Sequence, residues 1–278
     1  MWSLAVIVNA IFGALFAPFR AMHPAIGLIV VSIVTGIVML FIFGRTSNQG
    51  AIHRVKNRLK AHIAEIWLFR DDLPQMLAAI GRVLGRTGGY LAHSLRPLLF
   101  IMVPVLVIMV MLGVRYQHRP LAPGETATVA VFVSDDTWTR DDAVHLEATD
   151  GIEVVTAPLR IPERGEIDWR IRALRAGDER LTLVTPRGRQ EKRILVRDGG
   201  GPLTTIAPGR GKAFSAEFLT FPIEPPLPGS AGIRSFKVID WPVRELHIAG
   251  LKVHWLVGFF VVSLVAGFAV KGLFGVEV

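Results

Sequence analysis

The chain has 278 residues, 51 % of them hydrophobic and only 19 % charged, with a mean hydropathy of +0.45 and a formal net charge of +8. The charges cluster outside a few long apolar runs, the pattern of an integral membrane protein rather than a soluble one. With no cysteine, a disulfide framework, a thiolate metal site and a cysteine nucleophile are excluded.

The first apolar stretch runs from Trp2 to Phe19 and is interrupted by Asn9 and Pro18. At about 1.5 Å per residue it barely reaches across a ~30 Å hydrocarbon core, so residues 1–24 are expected to form an interfacial or re-entrant helix. No Lys or Arg precedes Arg20, and no cleavable signal peptide is expected. Residues 25–44 form the first span, almost wholly aliphatic. Ser32 and Gly36 lie one turn apart on it and offer a small face on which a second helix can pack closely, from within the protein or from another copy.

Residues 45–95 change character. Apolar residues recur at Ile52, Val55, Leu59, Ile63 and Ile66, the seam of an antiparallel coiled coil, and Arg54, Lys56, Arg58 and Lys60 fall on the opposite face. Asp71 and Asp72 cap a second arm with Pro74 in its first turn, and Gly81, Gly85, Gly88 and Gly89 weaken that arm. Nine basic residues stand against three acidic ones between Arg45 and Arg96, a net of +6. Positive charge in a short loop marks the cytoplasmic side, so the N-terminus and the long region after residue 115 are expected outside. The basic arm has three readings: charge that only sets topology, an electrostatic contact with anionic lipid heads or ribosomal RNA, or a docking arm for a protein.

Residues 96–114 form the second span. Pro104 inside it leaves the Phe100 carbonyl without its helical partner and predicts a kink or local opening. From 115 to 200 the texture alternates, with short β-rich segments separated by Asp-Gly, Ala-Gly-Asp and Pro-Arg-Gly turns. This predicts an immunoglobulin-like β-sandwich with Trp169 in its core. The acidic run Asp135, Asp136, Asp141 and Asp142 lacks the ligand spacing of a calcium loop and reads as solvated. Residues 201–252 are rich in glycine and proline and are expected to be an extended connector. Trp241, His247 and His254 are placed near the outer membrane interface. Residues 253–274 form the third span, with Lys271 able to snorkel at its end.

No catalytic motif, phosphate loop or dinucleotide fingerprint is present, and no enzyme activity, cofactor or metal is expected. His53 and His62 lie too far apart along one helix to share an ion. The fold class is thus an α-helical membrane protein with three spans, an N-terminal interfacial helix, a cytoplasmic helical hairpin and an all-β extracytoplasmic domain. A bacterial inner membrane is the expected location.

The order of elements resembles the minimal core of the YidC/Oxa insertase superfamily. The resemblance rests on the Trp2–Phe19 helix, the Ile52/Val55/Leu59/Ile63/Ile66 seam, the Arg54–Lys60 basic face and the Met-bearing second span (Met102, Met109, Met111). The chain departs from that pattern in lacking an intramembrane arginine and in carrying the β-domain between the second and third spans. The resemblance implies a membrane-protein insertase or chaperone-like factor without covalent chemistry, whose partners are membrane lipids, the ribosome and nascent membrane proteins. The alternative is a structural or assembly subunit of a larger membrane complex that docks an external partner through the β-domain. DNA is not an expected partner.

Overall fold

The structure is a computed structural model that describes residues 2–20, 22–46, 74, 81, 99–134, 144–200, 203–248 and 250–275. Nearly all of the basic hairpin, including Arg54, Lys56, Arg58 and Lys60, lies outside the described residues, as do His53, His62 and the Asp135–Asp142 turn. The chain divides into two compact units, one formed by residues 1–27 and 109–255 and the other by residues 28–108 and 256–278.

Three helices are long and apolar enough to cross a membrane: Trp2–Phe19, made of α1 (Trp2–Phe16) and a 3-10 turn, then α2 (Pro24–Thr46) and α3 (Leu99–Tyr116). A short helix, α4 (Ala216–Thr220), lies in the β-region. The last helix, α5 (Trp255–Val270), has 16 residues, shorter than the 253–274 span expected, because the chain leaves the helix at Lys271 and continues in turns. α3 runs through Pro104 as continuous helix: a proline costs one backbone hydrogen bond there but does not end the element.

The β-region contains β1 (Thr126–Val133), β2 (His145–Ala148), β3 (Ile152–Val154), β4 (Leu159–Ile161), β5 (Glu166–Ala173), β6 (Gly177–Thr185), β7 (Gly188–Val196), β8 (Gly209–Gly211), β9 (Ile233–Val238), β10 (Leu246–Ile248) and β11 (Leu251–Val253). A six-stranded antiparallel sheet has the order β3-β5-β1-β9-β8, with β4 also on β5, and a three-stranded sheet has the order β2-β6-β7. β1 exposes none of its residues fully, five being buried and three half-buried, and it has neighbours on both sides, Val129 opposite Trp169 of β5 and opposite Val238 of β9. Alternate residues of both sheets share one core: Val129, Val131, Ile167, Trp169 and Ile171 from the larger sheet, with Leu181, Leu183, Ile194 and Val196 from the smaller. Leu121, between α3 and β1, bridges Val196 in parallel and so attaches the incoming chain to β7. The tight β6–β7 hairpin turns on Pro186 and Arg187, and Gly188 closes it at φ +122°, a conformation that L side chains rarely adopt.

Residues 201–252 are not a connector. β9 sits inside the larger sheet between β1 and β8, and Ile206, Leu227, Ala231, Ile233, Phe236 and Trp241 all enter the core. The glycines and prolines of this stretch punctuate short ordered pieces rather than an extended strap. The β-domain therefore runs well past residue 200.

α1 belongs to the same unit as the β-domain and is held along its whole length. Trp2 meets the Phe218 ring of α4 with centroids 6.5 Å apart, Asn9 Nδ2 donates to the Pro222 carbonyl at 2.6 Å, and Phe16 meets Tyr116 at 6.0 Å. The other face of the helix exposes Leu4, Ile7, Ile11 and Leu15. One face of α1 thus meets protein, and the other presents a bare apolar stripe.

Candidate functional site

In the second unit, α2, α3 and α5 meet around a cleft of about 290 Å³. Thr35, Gly36, Met39 and Phe43 line it from α2, Ile101 and Val105 from α3, and Phe259, Phe260, Ser263, Gly267 and Phe268 from α5. The cleft exists because α2 and α5 cross closely. A Cβ built on Gly36 would collide with the Ser263 carbonyl, and one built on Gly267 would stand 3.5 Å from the Gly36 carbonyl oxygen. Gly36 of the small face noted in the sequence thus meets a second small pair, Ser263 and Gly267, in the same chain. That pair has the same four-residue spacing, which is a signal present in the sequence but not singled out there.

The two serine hydroxyls are already committed to their own helices. Ser32 Oγ donates to the Leu28 carbonyl at 2.7 Å and Ser263 Oγ to the Phe260 carbonyl at 3.1 Å. The cleft has no charged lining residue and offers shape and dispersion contacts, with polarizable Met39 and aromatic Phe43, Phe259 and Phe268 along the wall. Among the described residues its lining is apolar apart from the Thr35 and Ser263 hydroxyls, which suits an apolar helix or an acyl chain. Outside the cleft, α2 shows Val30, Val34, Val38 and Phe41, and α5 shows Val257, Val261 and Val265, all exposed and apolar.

The β-domain contains one buried ion pair. Lys192 is completely buried on β7, with its Nζ donating to the Ala207 carbonyl and, at 2.9 Å, to Glu224 Oε2. Glu224 Oε1 accepts from the Arg193 amide at 3.1 Å, so the carboxylate bridges β7 to the 201–232 stretch. Burial pulls the Lys192 ammonium below its ordinary range while Glu224 opposes that shift. Beside it lies a surface cleft of about 660 Å³ walled by Asp178, Arg180, Arg189, Glu191, Arg193 and Arg210. Its charges are cross-paired, Arg180 with Glu191 and Arg193 with Asp178. Among the described residues there is no cluster of three or more His, Asp or Glu able to hold a metal ion.

Of the residues singled out by sequence, Gly36 is brought into the α2–α5 crossing, Ser32 is buried on α2 one turn earlier, Pro104 lies within α3, and the four basic hairpin residues lie outside the described chain. No protein-family model, curated protein or solved structure matches this chain.

Proposed function

We propose that the chain is a membrane-protein insertase or chaperone-like factor of YidC/Oxa type, which shelters an apolar client segment without forming a covalent bond. The observation that carries this reading is the apolar cleft between α2, α3 and α5. It is apolar and free of charge, and its walls are made by residues from all three helices. In this reading α2, α3 and α5 span the membrane and α1 lies in the interface beneath the β-domain. The basic residues 45–95 face the cytoplasm, where they meet the ribosome, the nascent chain or anionic lipid heads. The membrane is a bacterial inner membrane, with the β-domain outside.

We read the β-domain as immunoglobulin-like. The strand order supports this, because β3/β4-β5-β1 and β2-β6-β7 reproduce the pairing of D-E-B and C-F-G strands, and Leu121 adds to the last strand in parallel. In place of a first edge strand the larger sheet carries β9 and β8, contributed from after the sandwich.

A second reading, an assembly subunit that docks an external partner through the β-domain, is favoured by the charged cleft around Arg193 and Arg210. Depletion of the protein followed by measurement of the membrane proteome separates the two. Loss of many unrelated membrane proteins is the outcome for an insertase. Loss of a single complex with the rest unchanged contradicts that reading and supports the second.

A further inference from the structure

The end of α3 holds two cations that the described residues do not neutralise. Arg115 is 4 % exposed. It donates from Nη1 to the Met111 carbonyl at 2.8 Å, and its guanidinium carbon lies 5.2 Å from the centroid of Phe16 on α1. Arg244, from the segment between β9 and β10, donates from Nε to the His118 carbonyl at 3.4 Å, and its Nη2 is buried without a hydrogen-bond partner. The charges that act on them through space are further cations, Arg20 on Arg115 and Arg119 on Arg244. Arg119 itself is matched, because both its terminal nitrogens are held by Glu125 at 2.7 and 2.9 Å. Arg115 and Arg244 make no ion pair among the described residues.

The carbonyl end of α3 accounts for part of this arrangement, since a helix C-terminus carries about half a negative charge. Two full positive charges exceed it. The hydroxyl of Tyr116, a residue with no exposed surface, has no partner either, and it lies within the field of both arginines. Gly27 leaves room for it, because a Cβ there would stand 2.9 Å from the hydroxyl oxygen. Trp255 Nε1, whose ring lies against Gly113 of the same turn, is a third buried donor without an acceptor. What is missing around this turn is therefore an acceptor, and one with negative charge. The apolar face of α1, with Ile11 and Leu15 exposed, supplies the surface along which acyl chains attached to that acceptor would lie.

We propose that the C-terminal end of α3 binds the phosphate of an anionic membrane phospholipid, with Arg115 and Arg244 as its counter-charges and Tyr116 as a further donor. This rests on the membrane placement of α3 but not on insertase activity. The bound lipid neutralises charges that would otherwise be buried unpaired, and it ties the β-domain to the bilayer surface.

The test uses the full chain, delipidated in a mild non-ionic detergent. Its melting is followed against dihexanoyl phosphatidylglycerol, dihexanoyl phosphatidylcholine and inorganic phosphate. Phosphatidylglycerol is expected to raise the melting temperature with half-saturation roughly tenfold below that of phosphatidylcholine, and inorganic phosphate is expected to have no effect over the same range. Arg244→Gln should raise the phosphatidylglycerol midpoint roughly tenfold, and Arg244→Lys should restore part of it. Tyr116→Phe, which removes only the hydroxyl and leaves the ring packing in place, should raise it by roughly threefold and keeps the test open if the arginine variants fail to fold. An unchanged midpoint in Tyr116→Phe and in every arginine variant that folds overturns the site. Equal effects of inorganic phosphate and phosphatidylglycerol overturn the lipid assignment. Carbonate extraction of cell membranes checks residence in the bilayer separately, so a chain that stays in the membrane but shows no lipid preference refutes this site alone.

Discussion

Lys192 illustrates at residue scale how a charge can be kept inside a β-domain. It alternates in step with Ile194 and Val196, so the strand turns it into the core, and Glu224 meets it there from the Pro-rich stretch. Removing one partner of a buried pair costs about 3–5 kcal/mol, whereas replacing both with apolar or neutral groups of similar volume is close to neutral. Glu224→Ala is therefore expected to lower unfolding stability by about 3–5 kcal/mol, and Lys192→Met combined with Glu224→Gln to recover most of it. Urea titration followed by tryptophan fluorescence checks both. A double variant as weak as Glu224→Ala would show that the pair contributes more than charge compensation. His118 supplies a pH dependence. Burial holds its imidazole below the usual range, opposed in part by the backbone at Trp241 and Pro242. A folded pKa below the unfolded value of about 6.5 means that its share of stability is complete above pH ~6.5 and is lost as pH falls through the folded value. Melting temperature should therefore fall between about pH 7 and pH 5 more steeply in the wild type than in His118→Gln. Parallel profiles would mean that the imidazole is not held neutral.

At the scale of elements, the crossing of α2 and α5 rests on the absence of side chains. Gly36→Val forces branched carbons against the Ser263 backbone and should cost about 1–3 kcal/mol, while Gly13→Ala on α1, with nothing within 4 Å of the new carbon, should be neutral or mildly stabilising. Thermal melting of the two variants side by side checks this, and equal stability would place the helices farther apart than the crossing requires. The elements also show what the sequence could and could not convey. The apolar helices were legible because each is one long run of apolar residues, which needs no partner elsewhere in the chain to be recognised. β1 to β3 and β5 to β7 were legible from alternation and from turn residues such as Pro186-Arg187-Gly188. β8 and β9 were not, because a three-residue Gly-Arg-Gly strand carries no period, and because β9 pairs with β1 about a hundred residues away. In the candidate site, Ser32 and Gly36 announced a close approach, but Ser263 and Gly267, which meet Gly36, became visible only once α5 was folded back against α2. Glu224 was equally hidden, since nothing local in a Pro-rich stretch points to a lysine on β7.

On the scale of the whole molecule, one chain joins an antiparallel β-domain clasped by α1 to a set of apolar helices that enclose an uncharged cleft. The basic residues of the 45–95 region add an electrostatic prediction. Changing Arg54, Lys56, Arg58 and Lys60 to Gln should weaken binding to ribosomes or anionic vesicles at low salt, at about 1 kcal/mol per residue near a surface, and leave little difference at high salt where such charges are screened. Co-sedimentation at two salt concentrations reads this, and unchanged low-salt binding would leave those charges with the task of setting topology. The most direct measurement for the central claim is site-specific photo-crosslinking to ribosome-bound membrane-protein nascent chains. A photoreactive residue at Met39 or Val105 in the cleft should capture the apolar segment of the nascent chain, while one at Val34 or Val257, exposed on α2 and α5 away from the cleft, should capture lipid. Equal capture of the nascent chain at all four positions, or none at Met39 and Val105, would contradict a client-sheltering cleft.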